Sequence, residues 1–358
     1  MKQFAIVFNN FITGGCEKLF INIAKKCPLT TFHLYILRSN IDSSIIEQLP
    51  ENVMVINCNY KNVFFRFLYN LKILHNNQYE AIVDFHEVLL SELFLFICRK
   101  KNKCWHWFNC NPIMKLQSRL GKIYYYLFPF YNKVIFICNT QKEILLSIVK
   151  NFPEDKTFIS YNFVKKDELI VKADEFKPYI TDKYIITVAR IDYGAKDFDT
   201  LIAAYEKYNN SEYKLVIVGD GKDMPLLKKR IEKSPLRTSI ILTGNQSNPY
   251  PWIKNAALFI LSSYTEGFPI TILESFILGV PVISSNCLCG PSEILDTNIY
   301  GELFTVKDSA DLQNKITSIL NNHIKYESFI VKGKERAEFY YNSADKTIKE
   351  LFNYENRI

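Results

Sequence analysis

Tyr264-Thr265-Glu266-Gly267-Phe268-Pro269-Ile270-Thr271-Ile272-Leu273-Glu274 is the stretch on which the reading of this chain turns. Ahead of it, Leu258-Phe259-Ile260-Leu261-Ser262 is a short apolar run with a polar end, the pattern of a buried strand. Behind it, Thr271 to Leu278 carries apolar residues at helical spacing and stops at Gly279. The quoted segment is therefore a loop between a strand and a helix N-terminus. Backbone N–H groups at residues 268 to 271 are expected to open that helix, where an anionic phosphate is favoured by hydrogen bonding and by the helix dipole. Glu274 falls in the first turns, placed to reach a sugar hydroxyl without facing the phosphate. On spacing alone the two carboxylates read more simply as a capping residue and a solvated helix Glu. Their surroundings change that reading.

Working outward, the chain alternates strand and helix. Phe4 to Phe8, Phe32 to Leu37, Val53 to Ile56, Ala81 to Phe85, Cys104 to Phe108 and Val134 to Cys138 are short β-rich runs. A second series follows at Tyr184 to Ala189, Lys214 to Val218, Ile240 to Thr243, Leu258 to Ser262 and Pro281 to Ser285. This order implies an α/β class with parallel sheets covered by helices on both faces. The expected division is a first Rossmann-like domain over 1–165, a second over 166–340, and a terminal helix within 341–358, from about Ala344, crossing back to the first. The polar Lys165 to Thr181 region reads as the linker.

At 358 residues, with 48% hydrophobic and 23% charged residues, the composition suits two soluble domains with full cores. The densest apolar stretch, Val88 to Cys98, is interrupted by Ser91 and Glu92 and is too short for a membrane span; Met1-Lys2-Gln3 leads into a strand and not a signal peptide. Nine cysteines are scattered without zinc spacing and read as reduced cytosolic thiols. Of the net charge of +7, residues 1–165 contribute 20 Lys/Arg against 11 Asp/Glu and residues 166–358 contribute 24 against 26. The basic first half also interleaves aromatics, in Tyr60 to Tyr69 and Lys115 to Tyr131, a pattern that suits nucleic acid or an anionic membrane surface.

Other segments carry chemistry. Asn9 to Lys18 follows the first strand and opens a helix with Gly14-Gly15, which lets backbone approach a ligand. Ala189-Arg190-Ile191-Asp192-Tyr193-Gly194-Ala195-Lys196 delivers two cations into one loop, enough fixed positive charge to hold a departing diphosphate without a metal. Val218-Gly219-Asp220-Gly221 ends a strand in a Gly-x-Gly turn, a weak dinucleotide fingerprint without its third glycine. Thr243-Gly244-Asn245 ends the next strand. His86 and His106 close or occupy apolar strands. Asp197-Phe198-Asp199 spells a metal-binding D-x-D pattern, but Asp199 precedes a helical run and is expected to be its N-cap.

Taken with Gly279-Val280-Pro281 and Gly290-Pro291-Ser292-Glu293, these segments resemble the donor site of the retaining glycosyltransferases of family 4. The resemblance is specific over the second half and looser over the first. It implies the GT-B fold, two Rossmann-like domains facing across a cleft. It implies that Glu274 holds the ribose, that Glu266 lies on the sugar side, and that Arg190 and Lys196 hold the diphosphate. Gly14 and Gly15 would face the diphosphate, Gly219 would floor the donor pocket, and Gly244 and Asn245 would lie near the base. Gly267, Phe268, Pro269 and Ile270 would present the donor loop. His86 would stand near the transferred sugar, with His106 a rival lining the acceptor side. Cys16, Lys18 and Ala189 stand where the family more often has Ala, Arg and Gly.

The activity so implied is a metal-independent transfer of a hexose (galactose, glucose or an N-acetylhexosamine) from a UDP-sugar to a glycan or lipid-linked acceptor with retention. Its setting would be bacterial surface polysaccharide or lipopolysaccharide synthesis, cytoplasmic and peripheral on the inner face of the membrane, with no nucleic-acid partner. The rivals are a GT-B sugar-nucleotide epimerase, which needs no acceptor, and a non-catalytic binding protein for sugar nucleotides or membrane surfaces.

Overall fold

The computed structural model describes residues 2–12, 14–38, 40–56, 58, 60–85, 89–99, 101–109, 128–149 and 152–352. The chain divides into two compact units, Met1–Asn162 with Ser343–Ile358, and Phe163–Asn342. The first holds strands β1 (Gln3–Phe8), β2 (Thr31–Ile36), β3 (Val53–Ile56), β4 (Ala81–Asp84), β5 (Cys104–Trp107), β6 (Lys133–Phe136) and β7 (Thr157–Ile159). They form one sheet in the order β3-β2-β1-β4-β5-β6-β7. The second holds β8 (Lys183–Val188), β9 (Tyr213–Val218), β10 (Ile240–Gly244), β11 (Leu258–Leu261), β12 (Val282–Ser285) and β13 (Glu302–Phe304), in the order β10-β9-β8-β11-β12-β13.

The pairings between these described strands are all parallel. A parallel sheet joined by helical crossovers is covered on both faces, so its central strands are apolar on both sides. Ala5, Ile6, Val7 and Phe8 of β1 and Tyr184, Ile185 and Ile186 of β8 are accordingly all buried. Each sheet is the doubly wound Rossmann arrangement, in which the strand order reverses direction beside the first strand of the unit. In the second unit that reversal lies between β8 and β11.

Two short strands depart from the sequence reading. Neither β7 nor β13 is among the β-rich runs read from the sequence. The polar stretch after Lys165, read as a linker, begins with the helix Lys166–Ala173, which packs on the helix Tyr250–Lys254. The terminal helix is far longer than expected, running unbroken from His323 to Phe352.

Candidate functional site

Ligands of doubly wound sheets bind beyond the carboxyl ends of the strands where the order reverses. The two segments that leave β8 and β11 at that point are the Arg190–Lys196 loop and the Glu266 loop. They are stitched together by backbone: Asp197 N donates to Ser262 O (3.0 Å) and Tyr264 N to Ala195 O (2.9 Å), around a bridge pairing Lys196 with Ser263.

This stitching brings together side chains far apart in sequence. Lys196 Nζ forms an ion pair with Glu266 Oε1 and donates to Ser263 Oγ at 3.2 Å. Ser263 Oγ in turn donates to Glu266 Oε1 at 2.6 Å. Both charged side chains are less than a fifth exposed, so each depends on the other for compensation of its charge. Cys287 is buried nearby; burial first, then the Glu266 carboxylate, pushes its thiol up to about 12, which keeps it protonated and unsuited to nucleophilic attack.

Arg190 does not join this trio. Its side chain is 76% exposed, and its ion-pair contact is with Asp192 at 3.9 Å. The Asp192 carboxyl is held below its usual range by Lys222, at 3.1 Å, and by the Gly194 N–H. The two cations of the loop therefore stand in different surroundings, and Lys196 is the one directed inward.

The helix Ile270–Ile277 opens at Pro269, its N-cap. Proline carries no N–H, which corrects the expectation of donors throughout residues 268 to 271. Ile272 N bonds back to Pro269 O at 3.2 Å, so the leading donors are those of Ile270 and Thr271. Phe268 also differs from expectation. Its side chain is buried and meets the Tyr340 ring edge-on at 5.1 Å, so it anchors the loop from beneath and only its backbone can face a ligand. Glu274 lies further along the helix and accepts a hydrogen bond from Tyr250 OH at 3.2 Å. Burial and the adjacent carboxylate raise the Tyr250 phenol, keeping it a donor.

Glycines shape this edge through close backbone approach. A Cβ on Gly219 (φ +143°) would lie 1.9 Å from Ala189 O, so Gly219 lets the β9 exit press against the β8 exit. Gly244 adopts φ +71° at a register shift of β10, and Asn245 beyond it is exposed. Gly290 (φ +77°) faces the Glu266 loop itself: a Cβ there would sit 2.6 Å from Pro269 Cδ and 2.7 Å from Gly267 O.

In the first unit, Gly14 is the N-cap of the helix Gly15–Lys26, and a Cβ on it would meet Glu17 Oε2 at 2.6 Å. Gly15 is exposed with open space around its Cβ position. His86 lies outside the described residues. His106 is fully buried in β5, with Nδ1 3.4 Å from Glu92 Oε1 and 3.6 Å from Asp84 Oδ2. Ser91 Oγ donates to Asp84 Oδ2 at 2.8 Å, and the Phe108 and Tyr131 rings close over the imidazole. A side chain so enclosed cannot line an acceptor surface; His106 ties β4, β5 and the helix Leu89–Cys98 together. Among the described residues, this trio is the group whose ligand atoms all lie within 4.8 Å of one another and so could hold a metal ion.

The D-x-D segment is also corrected. The N-cap of the helix Phe198–Tyr208 is Asp197, whose carboxylate accepts from Thr200 N (3.1 Å) and Thr200 Oγ1 (2.7 Å). Asp199 sits in the first turn, largely exposed, 3.7 Å from Arg230 Nε. Ser263, Tyr250 and Gly290 had not been assigned roles from the sequence. Only Gly290 carried a signal, the Gly-Pro pair that opens the helix Pro291–Leu295.

Residues 171–336, within the second unit, match the family model for glycosyl transferases, group 1. Over 249 residues the chain is 30% identical to an uncharacterized glycosyltransferase of Methanocaldococcus jannaschii, covering 63% of this chain and 60% of that protein. It is 32% identical over 126 residues to the lipopolysaccharide 1,6-galactosyltransferase of Salmonella typhimurium, covering 34% and 35%. The chain thus spans between about a third and three fifths of the length of these relatives. In structure it resembles HepE of Anabaena, solved in complex with UDP, with a TM-score of 0.81 at 16% identity over 99% of this chain and 100% of that one. The fold is GT-B.

Proposed function

We propose that this chain transfers a hexose from a UDP-sugar to a glycan or lipid-linked acceptor with retention, in the synthesis of bacterial surface polysaccharide or lipopolysaccharide. The observation that carries the reading is the Lys196–Glu266–Ser263 trio, set beside the opening of the Ile270–Ile277 helix at the reversal point of a glycosyl transferases group 1 domain. Lys196 and the leading N–H groups of that helix would take the diphosphate, with Arg190 swinging in from solvent. Glu274, steadied by Tyr250, would hold the ribose hydroxyls, and Glu266 would stand on the sugar side.

In the step proposed, the bond from the anomeric carbon to the diphosphate oxygen breaks as the acceptor oxygen attacks from the same face. The acceptor proton passes to the departing diphosphate. The positive charge of Lys196 stabilises that leaving group, so the transfer is proposed to proceed without a metal ion. The membrane-side location proposed is the inner face of the cytoplasmic membrane, where lipid-linked acceptors are presented.

A panel of UDP-sugars offered with lipid-linked acceptors, followed by mass spectrometry and by the anomeric configuration of the product, tests this directly. A product one hexose heavier, with the donor's anomeric configuration, is expected. An altered or released sugar from donor alone would replace the reading with an epimerase, and an inverted product would remove retention.

A further inference from the structure

The helix Val63–His75 turns one face into the first unit. Phe67 packs on Phe94 with ring centroids 5.4 Å apart, Asn70 Nδ2 donates to Ile36 O (3.2 Å), and Leu74 is buried. Its start is pinned from both sides: Asn62 accepts from Phe64 N at 2.9 Å, and Arg66 reaches back to Tyr60 O (3.0 Å) and Cys58 O (2.7 Å). With residues 67, 70 and 74 fixed inward, helical spacing turns 64, 65, 68 and 72 outward. On a soluble surface those positions should be polar, yet Phe64 is 64% exposed, Phe65 54% and Leu68 45%, with Tyr60 exposed beside them and its ring 6.1 Å from that of Phe65. The helix Leu89–Cys98, packed against this one, adds exposed Leu93, Phe96 and Ile97.

The charge along this segment is of one sign. Between Glu51 and Glu80 the sequence holds no acidic residue, while exposed Lys61 and Lys72 flank the aromatics. Near the end of the helix, His75 Nε2 is 2.7 Å from Lys101 Nζ. A second copy of the chain docked here about a two-fold axis would set lysine against lysine. An anionic bilayer complements both features at once, taking the aromatic and aliphatic side chains into the headgroup boundary while the lysines stay among the phosphates. No helix among the described residues is long and apolar enough to cross a membrane, so the contact is one of lying on the surface.

We propose that the outer face of the Val63–His75 helix, with Tyr60, Phe64, Phe65 and Leu68 as the inserting side chains and Lys61 and Lys72 as the anionic-lipid contacts, is the membrane-docking surface of this protein. The proposal deepens the membrane-side location proposed above and rests on it for its purpose, but it is measured without any sugar transfer.

The test is co-flotation of the full chain with vesicles of phosphatidylcholine containing about one third phosphatidylglycerol, at low and high salt. The wild type should float at low salt, and about 25-fold less should bind after Lys61→Gln with Lys72→Gln, from roughly a factor of five per lysine. Phe64→Ser with Phe65→Ser and Leu68→Ser should reduce binding by more than about tenfold even at low salt, since the apolar contribution is not screened. These side chains are exposed, so an unchanged melting temperature and unchanged UDP binding are expected in both variants and separate lost docking from lost folding. Wild-type-like flotation of the serine variant, no flotation of the wild type, or a fall in molecular mass of the serine variant from dimer to monomer would each overturn the proposal. Flotation by a protein that transfers no sugar would leave this surface standing and remove the transferase reading instead.

Discussion

Lys196 already has a carboxylate partner in Glu266 and a hydroxyl partner in Ser263, so a diphosphate must draw it away from a formed ion pair. Lys196→Ala should weaken UDP binding and slow transfer by about 10–100-fold, from one charge-assisted contact of about 1.5–3 kcal/mol. Unchanged kinetics in a folded variant would count against its role at the leaving group. The pairing also sharpens what is expected of the carboxylates. Glu266→Ala releases Lys196 from its partner, so UDP affinity should hold or rise while turnover falls; Glu274→Ala should chiefly cost UDP affinity. Tyr250→Phe should weaken UDP binding by about three- to tenfold, in keeping with one supporting hydrogen bond. Calorimetry with UDP separates these, and equal losses in the Glu266 and Glu274 variants would refute the division. Glu266 and Lys196 stand out in the sequence because they are charged residues in loops after apolar runs, and Glu274 because it follows in the first turns of the next helix. Ser263 and Tyr250 do not, because a serine at a strand end and a tyrosine opening a short helix act only through partners that folding brings near.

Elements with a period strong enough to read were found, and those without one were not. β1 and β8 are continuous apolar runs bounded by polar residues, whereas β7 and β13 are three-residue edge strands that offer too few side chains for any alternation. The His323–Phe352 helix escaped because its first half is mostly polar, so its apolar stripe was recognised only near its end. The same limit explains the misplaced cap. Asp197 and Asp199 are two residues apart before one helical run, and only backbone geometry decides which carboxylate meets the Thr200 N–H. Asp197→Ala should destabilise the second unit by about 1–2 kcal/mol, since it loses the bonds to Thr200 N and Oγ1. Asp199→Asn, at an exposed position, should change stability by less than about 0.5 kcal/mol and keep most activity. With Asp197 engaged in capping, the D-x-D segment lacks the paired free carboxylates that a cation would need, so transfer should survive EDTA. Loss of activity in EDTA that manganese restores would overturn both that reading and the role given to Lys196.

At the scale of the whole molecule, the first unit is not a continuous stretch of chain. It takes in the helical residues from Ser343 onward, while the same helix up to Asn342 belongs to the second unit. Phe352 is buried within 5.0 Å of the Phe4 ring and 5.5 Å of the Phe32 ring, measured between centroids, with Trp105 and Trp107 beyond. Ala344, Ile348 and Leu351 are buried on the same helix. Asp345 pairs with Lys26 at 2.5 Å, and Thr347 Oγ1 donates to Ile159 O of β7 at 2.9 Å. Burying Phe352, Ile348 and Leu351 contributes about 1.5–3 kcal/mol each. Their sum is of the order of the entire stability of a domain, about 5–15 kcal/mol. A chain ending at Asn342 should therefore lose the cooperative melting of the first unit and expose the aromatic face of β1, β2 and β5, while the second unit, whose sheet contains nothing beyond β13, should still bind UDP. Phe352→Ala alone should cost about 3–5 kcal/mol and lower only the first unit's transition. Differential scanning calorimetry with and without UDP distinguishes the units, because only the transition of the nucleotide-binding one should rise with ligand. A truncated chain that melts as the full one does would show that these terminal residues add nothing to the first unit's core.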